Sequence, residues 1–243
     1  MTQPIDWNAG IASIAKVNRF GAFLSKLLAS DNPNELLTYV NTFTAATHWF
    51  GSVYMGAETV LDAQIDLAAH LGSNKSYQRG MNLLAYFGRV LYRKELYTPK
   101  VVYRVHDIRE RPEGLEVGDT IAVTPHKSCL SYTDLRTIKI PARDAGHCDI
   151  LFSIKPNPKD VVWTYKTGAA MREDFKEVLK VIGVSSPMEL HDFHEVEDRL
   201  EMQRQHLLWA THSLMVAPFE QEYEVIVYHE DMKPLHAYVE RIY

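Results

Sequence analysis

The strongest constraint on the fold of this chain is a change of hydrophobic period close to residue 97. Upstream of it, Phe20, Phe23, Leu24, Leu27 and Leu28 recur at the spacing of one helix face. Leu36, Leu37, Val40 and Phe43 form a second stripe. Between the two, Asp31-Asn32-Pro33 reads as a stop and restart, with Asn32 as N-cap and Pro33 in the first helical position. Val60, Leu61, Ile65, Ala68 and Leu71, closed by Gly72, predict a third helix, and Leu83, Leu84, Phe87, Val90 and Leu91 a fourth. From Pro99 the pattern alternates. Strands are expected at Val101–His106, Thr120–Thr124, Leu130–Thr133, Ile150–Ile154, Val161–Tyr165, Tyr223–Tyr228 and Leu235–Ile242. Between Gly168 and Leu214 the helical period returns, with Phe175, Val178, Leu179 and Ile182 on one stripe and Val196, Leu200, Leu207 and Leu208 on another. Helices, then strands, with one helical excursion, describe an α+β protein. The expected organisation is a helical region over residues 1–96 packing on a core of residues 97–243, with a helical insertion at about 168–214.

Charged and polar residues inside the apolar strands raise the question of function. Two apart on an extended chain, Glu222 and Glu224 would share one face, while Tyr223, Val225 and Val227 would face a core. Two carboxylates side by side repel, so a pair fixed in this way is more easily explained by a site than by stability. An edge strand with charges on its wet side is the competing explanation. Arg104 stands in the middle of the β-branched run Val101–His106, where it could equally snorkel from an ordinary sheet. Ser131 and Thr133 share a face of Leu130–Thr133 by the same two-residue rule. Taken singly these are ordinary features, but strand arginine, Ser-x-Thr and Glu-x-Glu in this order are a rare set.

That ordered set resembles the arginine–serine–glutamate class of mono-ADP-ribosyltransferases, which includes small phage enzymes and bacterial toxins. Tyr103-Arg104 matches the class's first element, Leu130-Ser131-Tyr132-Thr133 the second and Glu222-Tyr223-Glu224-Val225-Ile226 the third. The stretches Gly118–Ile121 and Asp149–Ile154 look like the lead-in to, and the follow-on from, the serine strand. The resemblance covers roughly Tyr97 to Tyr243, and the long spacing from Thr133 to Glu222 marks the insertion. It implies a mixed β-sandwich core of the ADP-ribosyltransferase type that binds NAD as a substrate, with no metal. It also implies roles. Glu224 would stabilise the cationic sugar, Arg104 would bind the pyrophosphate, and Ser131 would hold the nicotinamide side of the cleft. Thr133 would support the strand or Glu224. Glu222 would select the acceptor, arginine on a target protein, with Phe219 in the acceptor-recognising turn. Phe219 could equally be a loop aromatic packed on the core. Two alternatives stay open: an NAD glycohydrolase, and a binding protein of the same fold without turnover.

Composition narrows the remaining classes. With 46% hydrophobic and 23% charged residues among 243, the chain has the balance of an ordinary globular protein. A net charge of −5 argues against general nucleic-acid binding. A local basic run remains: Arg89, Arg93, Lys94, Lys100, Arg104, Arg109 and Arg111. Two cysteines, Cys129 and Cys148, have neither metal-type spacing nor a disulfide framework, and predict free thiols in a reducing compartment. No Gly-x-Gly-x-x-Gly turn or P-loop occurs, so NAD would be gripped by other means. His191-Asp192-Phe193-His194-Glu195 offers metal-ligand chemistry but lies in a stretch of mixed charge that reads as a solvated face. With no leader peptide and no apolar run of spanning length, the expectation is a cytoplasmic protein without a membrane partner.

Overall fold

A computed structural model of the protein describes residues 5–47, 74–108, 112–125, 129–135, 148–185, 198–216, 223–229 and 233–243. Side chains fix most of the helix starts. Asp6 accepts from Ala9 N at 3.1 Å and opens α1, Trp7–Ile14, a helix the sequence periodicity does not announce. Asn18 accepts from Gly21 N at 2.8 Å and opens α2, Arg19–Leu28. Asn32 accepts from Asn34 N at 3.0 Å ahead of α3, Pro33–Thr47, the stop and restart expected from Asp31-Asn32-Pro33. Helix α4, Asn74–Tyr86, runs into a π-helical turn, Phe87–Leu91. The wider turn shifts the register, so Val90, expected on the buried stripe, is 61% exposed, while Phe87 and Gly88 face inward. The helix expected around residues 60–71 lies outside the described residues.

Among the described residues the strands are seven: β1, Val102–Ile108; β2, Thr120–Val123; β3, Cys129–Thr133; β4, Cys148–Ile154; β5, Val161–Thr164; β6, Glu224–Tyr228; and β7, Leu235–Ile242. Between β5 and β6 lie α5, Tyr165–Val181, and α6, Arg199–Met215, the helical excursion. Asp198 caps α6 through Leu200 N at 2.8 Å. The strands form one sheet in the order β2-β7-β4-β1-β3-β6-β5, with every pairing antiparallel. The architecture is therefore mixed helix and sheet, built on a single antiparallel sheet where a mixed sandwich was expected. Its two halves meet at β1 and β3, whose register is Tyr103 opposite Thr133. By contrast, β1 and β4 pair along all of Val102–Ile108.

Alternation along β6 explains how both sheet faces are covered. Ile226 joins an apolar cluster with Phe20, Phe87, Trp163, Phe175 and Leu207. Val225 and Val227 join a second cluster on the opposite face, with Val102, Tyr132, Phe152 and Val239. The first cluster draws on both the N-terminal helices and the inserted ones, so residues 5–47 and 74–91 and the excursion share one helical layer. Its polar seam is Arg19. That side chain bonds Glu95 at 2.6 Å and Asp174 at 3.4 Å and lies over the Tyr92 ring at 4.0 Å. Arg204 of α6 donates to Leu28 O at 2.9 Å, closing the carbonyl end of α2. No helix among the described residues is long and apolar enough to cross a membrane.

At Gly88 the helical layer lies close against the sheet, and an added Cβ would stand 2.1 Å from Val162 O. Backbone cannot yield there, so Gly88→Ala is expected to lower unfolding stability in urea by about 1–3 kcal/mol. Gly10 sits inside α1, where an added Cβ would meet only the side-chain methyls Ile182 Cγ2 at 3.5 Å and Ile5 Cγ2 at 3.9 Å, both in ordinary contact. Gly10→Ala is therefore expected to be neutral or to add up to about 1 kcal/mol from helix propensity.

Candidate active site

Ser131 on β3 ties together three of the residues singled out in the sequence. Its hydroxyl donates to Glu224 Oε1 on β6. Its carbonyl accepts from Arg104 Nη1 on β1 at 2.5 Å. The β3–β6 register sets Ser131 opposite Ile226 and Thr133 opposite Glu224, so the serine, the threonine and the glutamate share one sheet face. Arg104 follows Tyr103, the partner of Thr133, and alternation sends its Cβ to the other face. Its guanidinium returns to the strand plane and binds the Ser131 carbonyl at the seam where the two sheet halves join.

Glu224 exposes nothing to solvent, and Ser131 and Thr133 are buried with it. Removing a carboxylate from water costs several kcal/mol, and an apolar residue of similar size would pack there at no such cost. The Ser131 hydrogen bond and the positive charge of Arg104, which interacts with Glu224, offset part of it. Burial pushes the Arg104 guanidinium below its ordinary value, while Tyr132 and Glu224 pull it back up. Thr133 Oγ1 accepts from Leu135 N at 3.1 Å and so shapes the end of β3.

The Glu-x-Glu element departs from expectation. Strand β6 begins at Glu224, and Tyr223 before it has φ 51, in the left-handed region. Tyr223 is 39% exposed, outside the core that alternation assigned to it. A non-glycine residue in that region interrupts the pleat, so the shared-face argument for Glu222 does not extend past Tyr223. Glu222 and Phe219 lie outside the described residues, as does the histidine-rich stretch 191–195. Of the basic run, Arg109 and Arg111 lie outside the described residues. Arg89 donates to Lys159 O at 2.5 Å and to Val161 O at 3.3 Å. Among the described residues, no cluster of three His, Cys, Asp or Glu could hold a metal ion.

Two groups at the site escaped the sequence reading. On the face opposite Glu224, the Tyr132 hydroxyl meets His229 Nε2 at 2.9 Å, and both residues are buried. Their positions carried a signal: counting by twos along β6 from Val225 through Val227 reaches His229, on the face of Tyr132. At the start of β6, Tyr97, Tyr165, Tyr223, Asp134 and Lys166 gather around the Asp134 N to Tyr223 O bond. No spacing rule links those five residues.

No protein-family model, curated protein or solved structure matches this chain.

Burial lowers the His229 imidazole from its ordinary 6.5 to about 4, and Arg104 adds to the effect, while Asp160 opposes it. The folded state thus keeps His229 neutral where the unfolded chain takes up a proton. Stability is lost as pH falls from about 6.5 to about 4 and this contribution is constant below that. Between pH 7 and pH 5 the loss from this residue is expected to be about 2 kcal/mol. His229→Gln should remove that share, seen as a smaller shift of the urea midpoint between the two pH values. An unchanged shift would mean that His229 is charged in the fold.

Proposed function

We propose that this protein is an NAD-dependent mono-ADP-ribosyltransferase with the fold of that class, transferring ADP-ribose to an arginine acceptor on a target protein. The observation that carries the reading is the buried Ser131–Glu224 pair, with Arg104 bound to the same serine. Cleaving the bond between nicotinamide and ribose lets nicotinamide leave with the bonding electrons as a neutral molecule. Positive charge then develops on the sugar, the demand that glycosidases meet with carboxylates. A carboxylate held in a water-poor site, with its orientation set by Ser131, is suited to that charge, and one such group is worth about 3–4 kcal/mol. Arg104 offers a planar cation for the pyrophosphate, with part of its fork already committed to Ser131 O. An arginine nitrogen of the acceptor then bonds to the sugar carbon, and its proton leaves to Glu222 or water. Glu224 is fully covered in this conformation, so NAD reaches it only after the site opens.

That burial also favours a second reading, in which Arg104, Ser131 and Glu224 only hold the two sheet halves together and no turnover occurs. Labelled NAD incubated with the pure protein and a cell lysate separates the two. The proposal expects label on macromolecules and release of nicotinamide; absence of both supports the silent protein. Glu222→Gln refines the test. It is expected to abolish transfer to arginine while appreciable nicotinamide release continues, because water needs no orienting carboxylate. Undiminished transfer would remove Glu222 from the site and arginine from the list of acceptors.

A further inference from the structure

We infer that Tyr97, Tyr165 and Tyr223, with Asp134, form the docking slot for the acceptor's guanidinium group, and that Lys166 occupies this slot in the free protein. The inference rests on the proposed transferase reading and gives it an acceptor subsite built partly from the inserted helix α5. The Tyr165 and Tyr223 rings meet edge-on with centroids 4.8 Å apart, and Tyr97 meets Tyr165 in the same way at 5.8 Å. Tyr223 is 39% exposed, and Tyr97 and Tyr165 are half-buried, so the group opens to solvent. Its position is fixed by register. Thr164, the last residue of β5, pairs with Val225 and is followed by Tyr165; Asp134 follows Thr133, the partner of Glu224. The slot therefore lies at the end of β6 that carries the carboxylate proposed to face the sugar cation.

Its chemistry suits a cation. Aromatic faces attract positive charge, and a planar guanidinium stacks on them while pairing with a carboxylate. Here the carboxylate is Asp134, which accepts from the Tyr97 hydroxyl at 2.6 Å. That the slot takes a cation is already visible within the chain: Lys166 Nζ lies over the Tyr97 ring at 4.7 Å. Lys166 is exposed and sits on the first turn of α5, so it can swing into solvent when a substrate cation arrives. The left-handed Tyr223, held through its carbonyl by Asp134 N, presents its ring to the slot at the cost of local backbone strain.

The test measures binding of agmatine, a small guanidine, to the full-length protein by tyrosine-ring NMR shifts, with no NAD present. Agmatine is expected to shift the rings of Tyr97, Tyr165 and Tyr223. Lys166→Ala, by removing the internal competitor, is expected to tighten binding about threefold, and Tyr165→Leu to weaken it by at least as much. Tyr165→Phe keeps an aromatic face and is expected to retain most of the affinity, which a merely structural loss in the Leu variant would not explain. Shifts confined to other residues, or an affinity indifferent to both Lys166→Ala and Tyr165→Leu, would overturn the slot. These readouts need no catalysis. A protein that binds agmatine here yet leaves NAD intact would fail the transferase reading alone, and one that cleaves NAD without agmatine binding would fail the slot alone.

Discussion

The two halves of the sheet are coupled through Ser131, and much of the site's geometry follows from that coupling. Where β1 and β3 part beyond the Tyr103–Thr133 pair, the Arg104 side chain binds the Ser131 carbonyl. The hydroxyl of the same residue reaches the adjacent strand and holds Glu224. A seam closed by side chains links a cation and a carboxylate through one serine, the first at its carbonyl and the second at its hydroxyl. The helical layer and the opposite apolar cluster both press on β6, and this is why a charged residue that opens an otherwise apolar strand ends fully buried.

Burial gives this carboxylate its chemical value and also its cost. In a poorly solvated setting a charge acts on a developing cation more strongly than in water. The same setting makes an uncompensated carboxylate expensive, and Ser131 and Arg104 supply the compensation. The helical layer contributes rigidity here, since Arg19 bolts α2 to Glu95 and to Asp174 of α5. Helix α5 in turn starts with Tyr165, one residue beyond the partner of Val225. The insertion is thus connected at one end to the N-terminal helices and at the other to the site.

Much of the fold was legible because each strand is a short β-branched or aromatic run, and each helix stripe repeats at the period that buries one face. The strand order was not legible, because antiparallel neighbours such as β3 and β6 are separated by nearly a hundred residues and no local pattern encodes the pairing. Val90 was misassigned because a π-helical turn adds a residue that a regular period cannot anticipate. Tyr223 departs from the alternation because its left-handed backbone breaks the pleat, and a tyrosine carries no local signal for that conformation. Arg104, Ser131 and Glu224 could be picked out in advance because charged and polar residues stand out within apolar strands. Tyr97 and Tyr165 could not, because a tyrosine in a loop or at the start of a helix is unremarkable until the chain brings it to the others near the start of β6.

The proposed transferase activity depends on Glu224 acting on NAD in the transition state. The most direct measurement is the rate of nicotinamide release from NAD by the wild-type protein and by Glu224→Gln, with NAD affinity measured on both by calorimetry. The substitution keeps the side chain's size and removes the charge proposed to face the sugar. The account predicts measurable release by the wild type and a fall of at least about a hundredfold in the variant, with affinity little changed. Release retained within a few-fold in Glu224→Gln would contradict it.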